Sequence, residues 1–123
     1  MANILVVEDD ASIGSMIVDI LAAKGYTAAL LADPRGAVDA VRRERHDLVL
    51  LDVMMPHLNG FEVCRLLRAD PATRAARIII ITALNRVADV EQGYSAGADD
   101  YIAKPVDIAQ LISKVEKALA RRR

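Results

Sequence analysis

Apolar positions along this chain fall into short continuous runs that alternate with stretches of helical period. Residues 3–7 form an aliphatic run that predicts a strand. Ile13, Met16, Ile17, Ile20 and Leu21 then recur at the spacing of one helix face, and Lys24-Gly25 ends that helix. Residues 26–31 predict a weaker strand. Asp33-Pro34 reads as an N-cap followed by proline at the first helical position, opening a second helix with Val38 and Val41 on its inner face. Residues 48–52 predict a third strand, and Asn59-Gly60 opens a third helix with Val63, Leu66 and Leu67 turned inward. The stretch ADPATRAAR breaks that helix. Residues 78–82, four isoleucines and a threonine, are the most strand-like segment and belong at the centre of a sheet. Val87, Val90 and Tyr94 mark a fourth helix with a thin apolar stripe, ended by Gly97. Residues 100–103 predict a short fifth strand, and Ile108, Leu111, Ile112, Val115 and Leu119 a fifth helix.

Five strand–helix units in strict alternation imply an α/β fold, a doubly wound parallel five-stranded sheet with helices on both faces and right-handed crossovers. In such sheets the working site lies beyond the carboxyl ends of the strands. That rule gives meaning to an otherwise odd feature: the buried run LVLL ends in a carboxylate, Asp52. The acid is carried out of the core to the edge where ligands bind.

Three other strand ends deliver chemistry to the same edge. The first gives Glu8, Asp9 and Asp10, the fourth gives Thr82, and the fifth leads to Lys104-Pro105. Acids gathered at one place repel and raise each other's pKa, and are best tolerated around a cation. An all-oxygen site with few protein ligands suits Mg²⁺ better than Ca²⁺. A lysine and a hydroxyl beside such a metal suit a phosphoryl group in transfer, with Asp52 as the nucleophile.

The motifs ILVVEDD, DLVLLDVMMPHLNGFE, IIIITAL and GADDYIAKP, in this order and each at a strand end, closely resemble the receiver domain of bacterial two-component response regulators over essentially the whole chain. The resemblance implies a flavodoxin-like (CheY-like) three-layer sandwich with strand order 2-1-3-4-5. It implies Asp52 as phosphoacceptor, Asp9 and the main-chain carbonyl of Met54 as Mg²⁺ ligands beside Asp52, and Glu8 acting through a bound water. Lys104 is implied to pair with Asp52 or with incoming phosphoryl oxygens, Thr82 to hydrogen-bond the attached group, and Tyr101 to be the rotating aromatic of the switch. A cis Lys104-Pro105 bond is implied as well. The implied partners are a sensor histidine kinase or histidine phosphotransfer protein and a downstream output domain or protein. The surface of the fourth helix, fifth strand and fifth helix is the part expected to change, with homodimerisation through it as a further expectation.

Composition is consistent with this reading. At 123 residues, 54% hydrophobic and 27% charged, the chain is expected to be one folded receiver domain over 1–123. A formal charge of -1 gives no reason to expect nucleic acid or membrane as a direct partner. Arg121, Arg122 and Arg123 read as a solvated helix end. A lone cysteine, Cys64, and the lack of any signal-peptide or spanning pattern lead to the expectation of a soluble, cytoplasmic protein.

Several residues carry plainer readings. Asp10 falls where the first helix begins and is expected to cap it. Thr82, taken alone, is a strand-forming residue, and Tyr101 can be ordinary packing. His46 and His57 have no metal-ligand spacing between them, and His46 is expected at a helix end, where positive charge is favoured. Cys64 is expected to be a packing residue or a surface thiol. Met54 and Leu84, each two residues past a site residue, are apolar and cannot orient a hydrolytic water, so slow loss of the phosphoryl group is expected. The rival functions are a phosphohydrolase with an aspartyl-phosphate intermediate, a nucleotide- or flavin-binding module, and a receiver that docks without phosphorylation. The first normally needs an acid where Met54 stands, and the second needs glycines or hydroxyls where EDDAS presents acids.

Overall fold

The computed structural model describes residues 2–120. It contains β1 (Asn3–Val7), α1 (Ala11–Ala23), β2 (Thr27–Leu31), α2 (Ala37–Glu44), β3 (Leu48–Leu51), α3 (Gly60–Ala69), β4 (Arg77–Thr82), α4 (Val87–Ala96), β5 (Asp100–Ala103) and α5 (Ile108–Ala120). The strands form one parallel sheet in the order β2-β1-β3-β4-β5. The terminal arginines 121–123 lie outside the described residues.

The sheet is central because its middle strands are apolar on both faces. Alternation sends Ile4, Val6, Leu48, Leu50, Ile79 and Ile81 to one side, where Ile17 and Leu21 of α1 and Leu111 and Val115 of α5 cover them. Leu5, Val7, Val49, Leu51, Ile78 and Ile80 face the other side, against Val41, Val63 and Leu67. All four residues of β3 are buried, which fixes the height at which Asp52 emerges.

Strand boundaries differ from expectation by one residue at three places. Tyr26 N–H donates back to the Leu21 carbonyl and so stays with the end of α1, leaving β2 to begin at Thr27. Asp52 N–H still bonds to the Val7 carbonyl although the regular strand ends at Leu51. Arg77 N–H donates to the Asp47 carbonyl and starts β4 ahead of Ile78.

The helix caps follow their chemistry. Asp10 accepts from the backbone of Ser12 and Ile13, and Asn59 and Glu62 form a reciprocal capping box. A 3-10 turn over Pro34–Gly36, capped by Asp33, precedes α2. The Lys104-Pro105 bond is cis.

Some apolar positions read as inward are exposed. Met16 is 43% exposed, Leu66 47%, Val87 74%, Tyr94 47% and Ile108 56%. On α3 the buried face is Phe61, Val63, Cys64 and Leu67, so Leu66 lies on the flank towards α2. On α4 the buried residues are Asp89, Gly93 and Ala96, with Val90 of the expected stripe partly buried against the core and Val87 and Tyr94 turned out. His46 corrects a second expectation. It lies past the end of α2, buried, and burial lowers its pKa, which favours the neutral ring over a charge at a helix end. Cys64 is fully buried packing.

Gly60 is read in the sequence only as a helix opening, yet it is the tightest point between α3 and β3. A Cβ at this position would stand 2.2 Å from the Asp52 carbonyl oxygen and 2.9 Å from Val53 Cα. Both are backbone atoms and cannot rotate away. Gly60→Ala is expected to destabilise the fold by about 3 kcal/mol, the upper end of overpacking costs. Urea unfolding measures this directly, and an unchanged midpoint would contradict the packing described.

Candidate functional site

The carboxyl ends of β1, β3, β4 and β5 open on one crevice. β1 leads into Glu8 and Asp9, β3 into Asp52, β4 ends in Thr82, and β5 is followed by Lys104. One carboxylate oxygen from each of Glu8, Asp9 and Asp52 lies within 4.8 Å of the others. Glu8 and Asp52 are buried and Asp9 is exposed, so the cluster is walled on the protein side and open at Asp9.

Lys104 holds the two buried acids. Its Nζ stands 2.7 Å from Glu8 Oε1 and 3.0 Å from Asp52 Oδ2. Backbone amides engage oxygens on the same two acids: Val53 N–H donates to Asp52 Oδ1 at 2.7 Å, and Asp10 N–H to Glu8 Oε2 at 3.2 Å. Burial pushes the Glu8 carboxyl up to about 6, with the Asp52 charge adding to the rise and the Lys104 hydrogen bond opposing it. Burial alone would lower the Lys104 ammonium, but its hydrogen bonds to Glu8 and Asp52 outweigh that and raise it.

Three carboxylates against one ammonium leave the crevice net negative. Oxygen-only donors on a rigid scaffold, with one exposed member, can hold a hard divalent cation. Asp10 is not part of this set, because its carboxylate is turned to the amides of α1. The Val53 carbonyl accepts from both Met55 and Gly60, which folds the connection after β3 into a tight turn. Met54 lies on the open side of that turn, its side chain 62% exposed.

Thr82 is fully buried at the end of β4, its Oγ1 accepting a long bond of 3.4 Å from Leu84 N–H. Tyr101 is the surprise of the site. Its ring already points inward, and its hydroxyl donates to the Leu84 carbonyl. Burial raises the phenol pKa, with Asp89 and Asp52 contributing. Two residues that sequence reasoning missed also shape the region. Arg68 of α3 donates to the carbonyls of Gly97 and Ala76 and to Asp99, fastening the entries of β4 and β5. Gly93 gives the Tyr101 ring its room. A glycine inside a helical pattern is the signal that could have identified the latter.

The Glu8 shift has a stability consequence. Its carboxyl moves from 4.5 unfolded to about 6 folded, so between these values the folded chain keeps a proton that the unfolded chain has released. Its contribution in the metal-free protein is therefore complete below pH 4.5 and lost as pH rises through about 6. The change is about 2 kcal/mol. Urea unfolding of wild type and Glu8→Gln across this range measures it as a difference in slope, and parallel curves would contradict the shift.

Comparison with known proteins agrees with this geometry. The sequence model described as the response regulator receiver domain matches residues 4–116. The chain is 45% identical over 119 residues to the DNA-binding response regulator MtrA of Mycobacterium tuberculosis, covering 97% of this chain and 51% of that protein. It is 39% identical over 121 residues to the response regulator ArlR of Staphylococcus epidermidis, covering 98% and 54%. The chain thus spans about half the length of the curated relatives it matches. Among solved structures, the BeF3-activated N-terminal receiver domain of Klebsiella pneumoniae RstA superposes with a TM-score of 0.90 at 30% identity, covering 97% of this chain and 99% of that one. The receiver domain of the Francisella response regulator 1452 gives 0.92 at 28% identity, with complete coverage of both (100% and 100%). The chain belongs to the response regulator receiver domain family and is a receiver of two-component signalling.

Proposed function

We propose that Asp52 is the phosphoacceptor and that residues 1–123 work as one receiver, switched by a sensor histidine kinase or a histidine phosphotransfer protein. The observation that carries this reading is the Lys104 bridge between Glu8 and Asp52 with Asp9 beside it. Asp9, Asp52, the Met54 carbonyl and, through water, Glu8 would hold Mg²⁺, which when bound offsets charge on the phosphoryl oxygens. An Asp52 oxygen attacks phosphorus, an O–P bond forms, the P–N bond of the phosphohistidine breaks, and the electron pair returns to the imidazole. Lys104 neutralises the transferred oxygens, and Thr82 gives up its weak contact with Leu84 to donate its hydroxyl to them.

The chemistry is the chain's own modification and its slow reversal, so the protein acts as a switch and not as a turnover enzyme. A phosphohydrolase reading is disfavoured because Met54 occupies the open side of the turn after Asp52. A phosphorylation-independent receiver is disfavoured because Lys104 lies within hydrogen-bond distance of Asp52 and Thr82 is buried at the end of β4, which supports an Asp52 acceptor. The exposed Val87 and Tyr94 mark the face of α4, β5 and α5 as the output surface, used by a linked output domain, a separate protein or a second copy. The chain itself makes no direct nucleic-acid or membrane contact in this reading; any DNA binding, as printed for MtrA, belongs to an output region. No helix among the described residues is long and apolar enough to cross a membrane, which agrees with a cytoplasmic site of action.

Incubation with acetyl phosphate and Mg²⁺ is expected to add one phosphoryl mass to wild type, none to Asp52→Asn, and far less once Mg²⁺ is chelated. A mass gain that survives Asp52→Asn would reject the acceptor. Following the product over time, Met54→Asn is expected to shorten the phosphoryl lifetime, since a polar side chain at this exposed position can orient water. Decay equally fast in wild type would contradict that part.

A further inference from the structure

The buried residues of α4 are Asp89, Gly93 and Ala96, with Val90 partly buried against the core beside them. Gly93 sits between two neighbours. A Cβ there would lie 3.1 Å from Ile80 Cδ1 and 3.3 Å from both Cδ2 and Cε2 of Tyr101. A methyl group fits only if one of them yields. Ile80 is fully buried in β4 and has nowhere to go, whereas Tyr101 stands on β5, an edge strand of the sheet. The ring, on the edge strand, is the group with room to give, by a few tenths of an ångström.

In the unmodified chain this ring is inward, 9% exposed, with its hydroxyl on the Leu84 carbonyl. Leu84 is gripped from its other end by Thr82 Oγ1, at 3.4 Å from its N–H. The connection between β4 and α4 is therefore held at one residue by both the aromatic and the Thr82 hydroxyl.

We infer that Gly93 is a positioning residue that seats Tyr101 inward before phosphorylation, so that modification has only the Thr82 to Leu84 contact left to move. The inference rests on the acceptor reading above for its link to phosphorylation, while the position of the ring stands independently. A switch whose aromatic half is already set needs a smaller population shift, and its basal active fraction is correspondingly higher.

NMR of the full chain with ¹³C-labelled tyrosine tests this. The chain has 3 tyrosines, assigned by substituting each with phenylalanine. In wild type without any phosphodonor, the Tyr101 signals are expected to be those of a buried ring with a phenol titrating above its ordinary value, and acetyl phosphate with Mg²⁺ should change them little. Gly93→Ala should move them towards free tyrosine and bring the phenol down. Alanine is the better helix former, so loss of α4 does not account for such a change. Adding Ile80→Val removes the Cδ1 at 3.1 Å and should return the ring inward. Exposed-ring signals in resting wild type, an unmoved Tyr101 in Gly93→Ala, or no return in the double variant would each overturn the inference. The ring positions in wild type, Gly93→Ala and the double variant are read without any phosphodonor, so their failure is separate from a failure of Asp52 to gain mass.

Discussion

Two buried carboxylates sharing one ammonium form the interaction on which the rest of this structure depends. Removing an ion from water costs several kcal/mol, and two like charges in one crevice add to it. Lys104 compensates by standing within hydrogen-bond distance of both Glu8 and Asp52. The compensation is incomplete, because Asp9 adds a third carboxylate and, among the described residues, Lys104 is the cation paired with this cluster. The crevice is thus held together by a lysine and still attracts positive charge. Both properties suit a site where a metal and a phosphoryl group arrive together.

Everything beneath the crevice serves to keep those groups at one height. Parallel strands end at the same edge, and the registers Val7 with Leu51 and Thr82 with Ala103 bring the successors of each strand level with one another. Fully buried side chains along β3 and β4 fix the strands against sliding, since a slip of one residue would expose an entire face. Gly60 lets α3 start against the backbone of Asp52, and Arg68 ties the entries of β4 and β5 to α3. On the α4 side, the packing is thinner and built from Asp89, Gly93 and Ala96, which leaves that helix as the part of the frame best able to respond.

The frame was legible because its signals are local. Short uninterrupted runs such as LVLL and IIII, bounded by turn signals, usually mean strands buried on both faces, and caps at Asp10, Asp33 and Asn59 announce helix starts by their own chemistry. The set Glu8, Asp9, Asp52, Thr82 and Lys104 was legible as well, since each stands at a strand end. What escaped depended on contacts between distant segments. The inner face of α4 was legible only in part, because Val90 packs against the core while small side chains fill the rest and Val87 and Tyr94 point out. His46 looked like a helix-end charge, but the fold buries it and burial favours the neutral ring. The inward ring of Tyr101 follows from a glycine on another element, a relation that no window along the chain contains.

The central claim is that the Lys104 ammonium and a divalent cation answer the same excess of carboxylate charge. Calorimetric titration of Mg²⁺ into wild type and Lys104→Met measures this most directly. The account predicts that one ion binds to wild type and that it binds more tightly to Lys104→Met, where no ammonium competes. Absence of binding to wild type, or weaker binding once the lysine is gone, would contradict it.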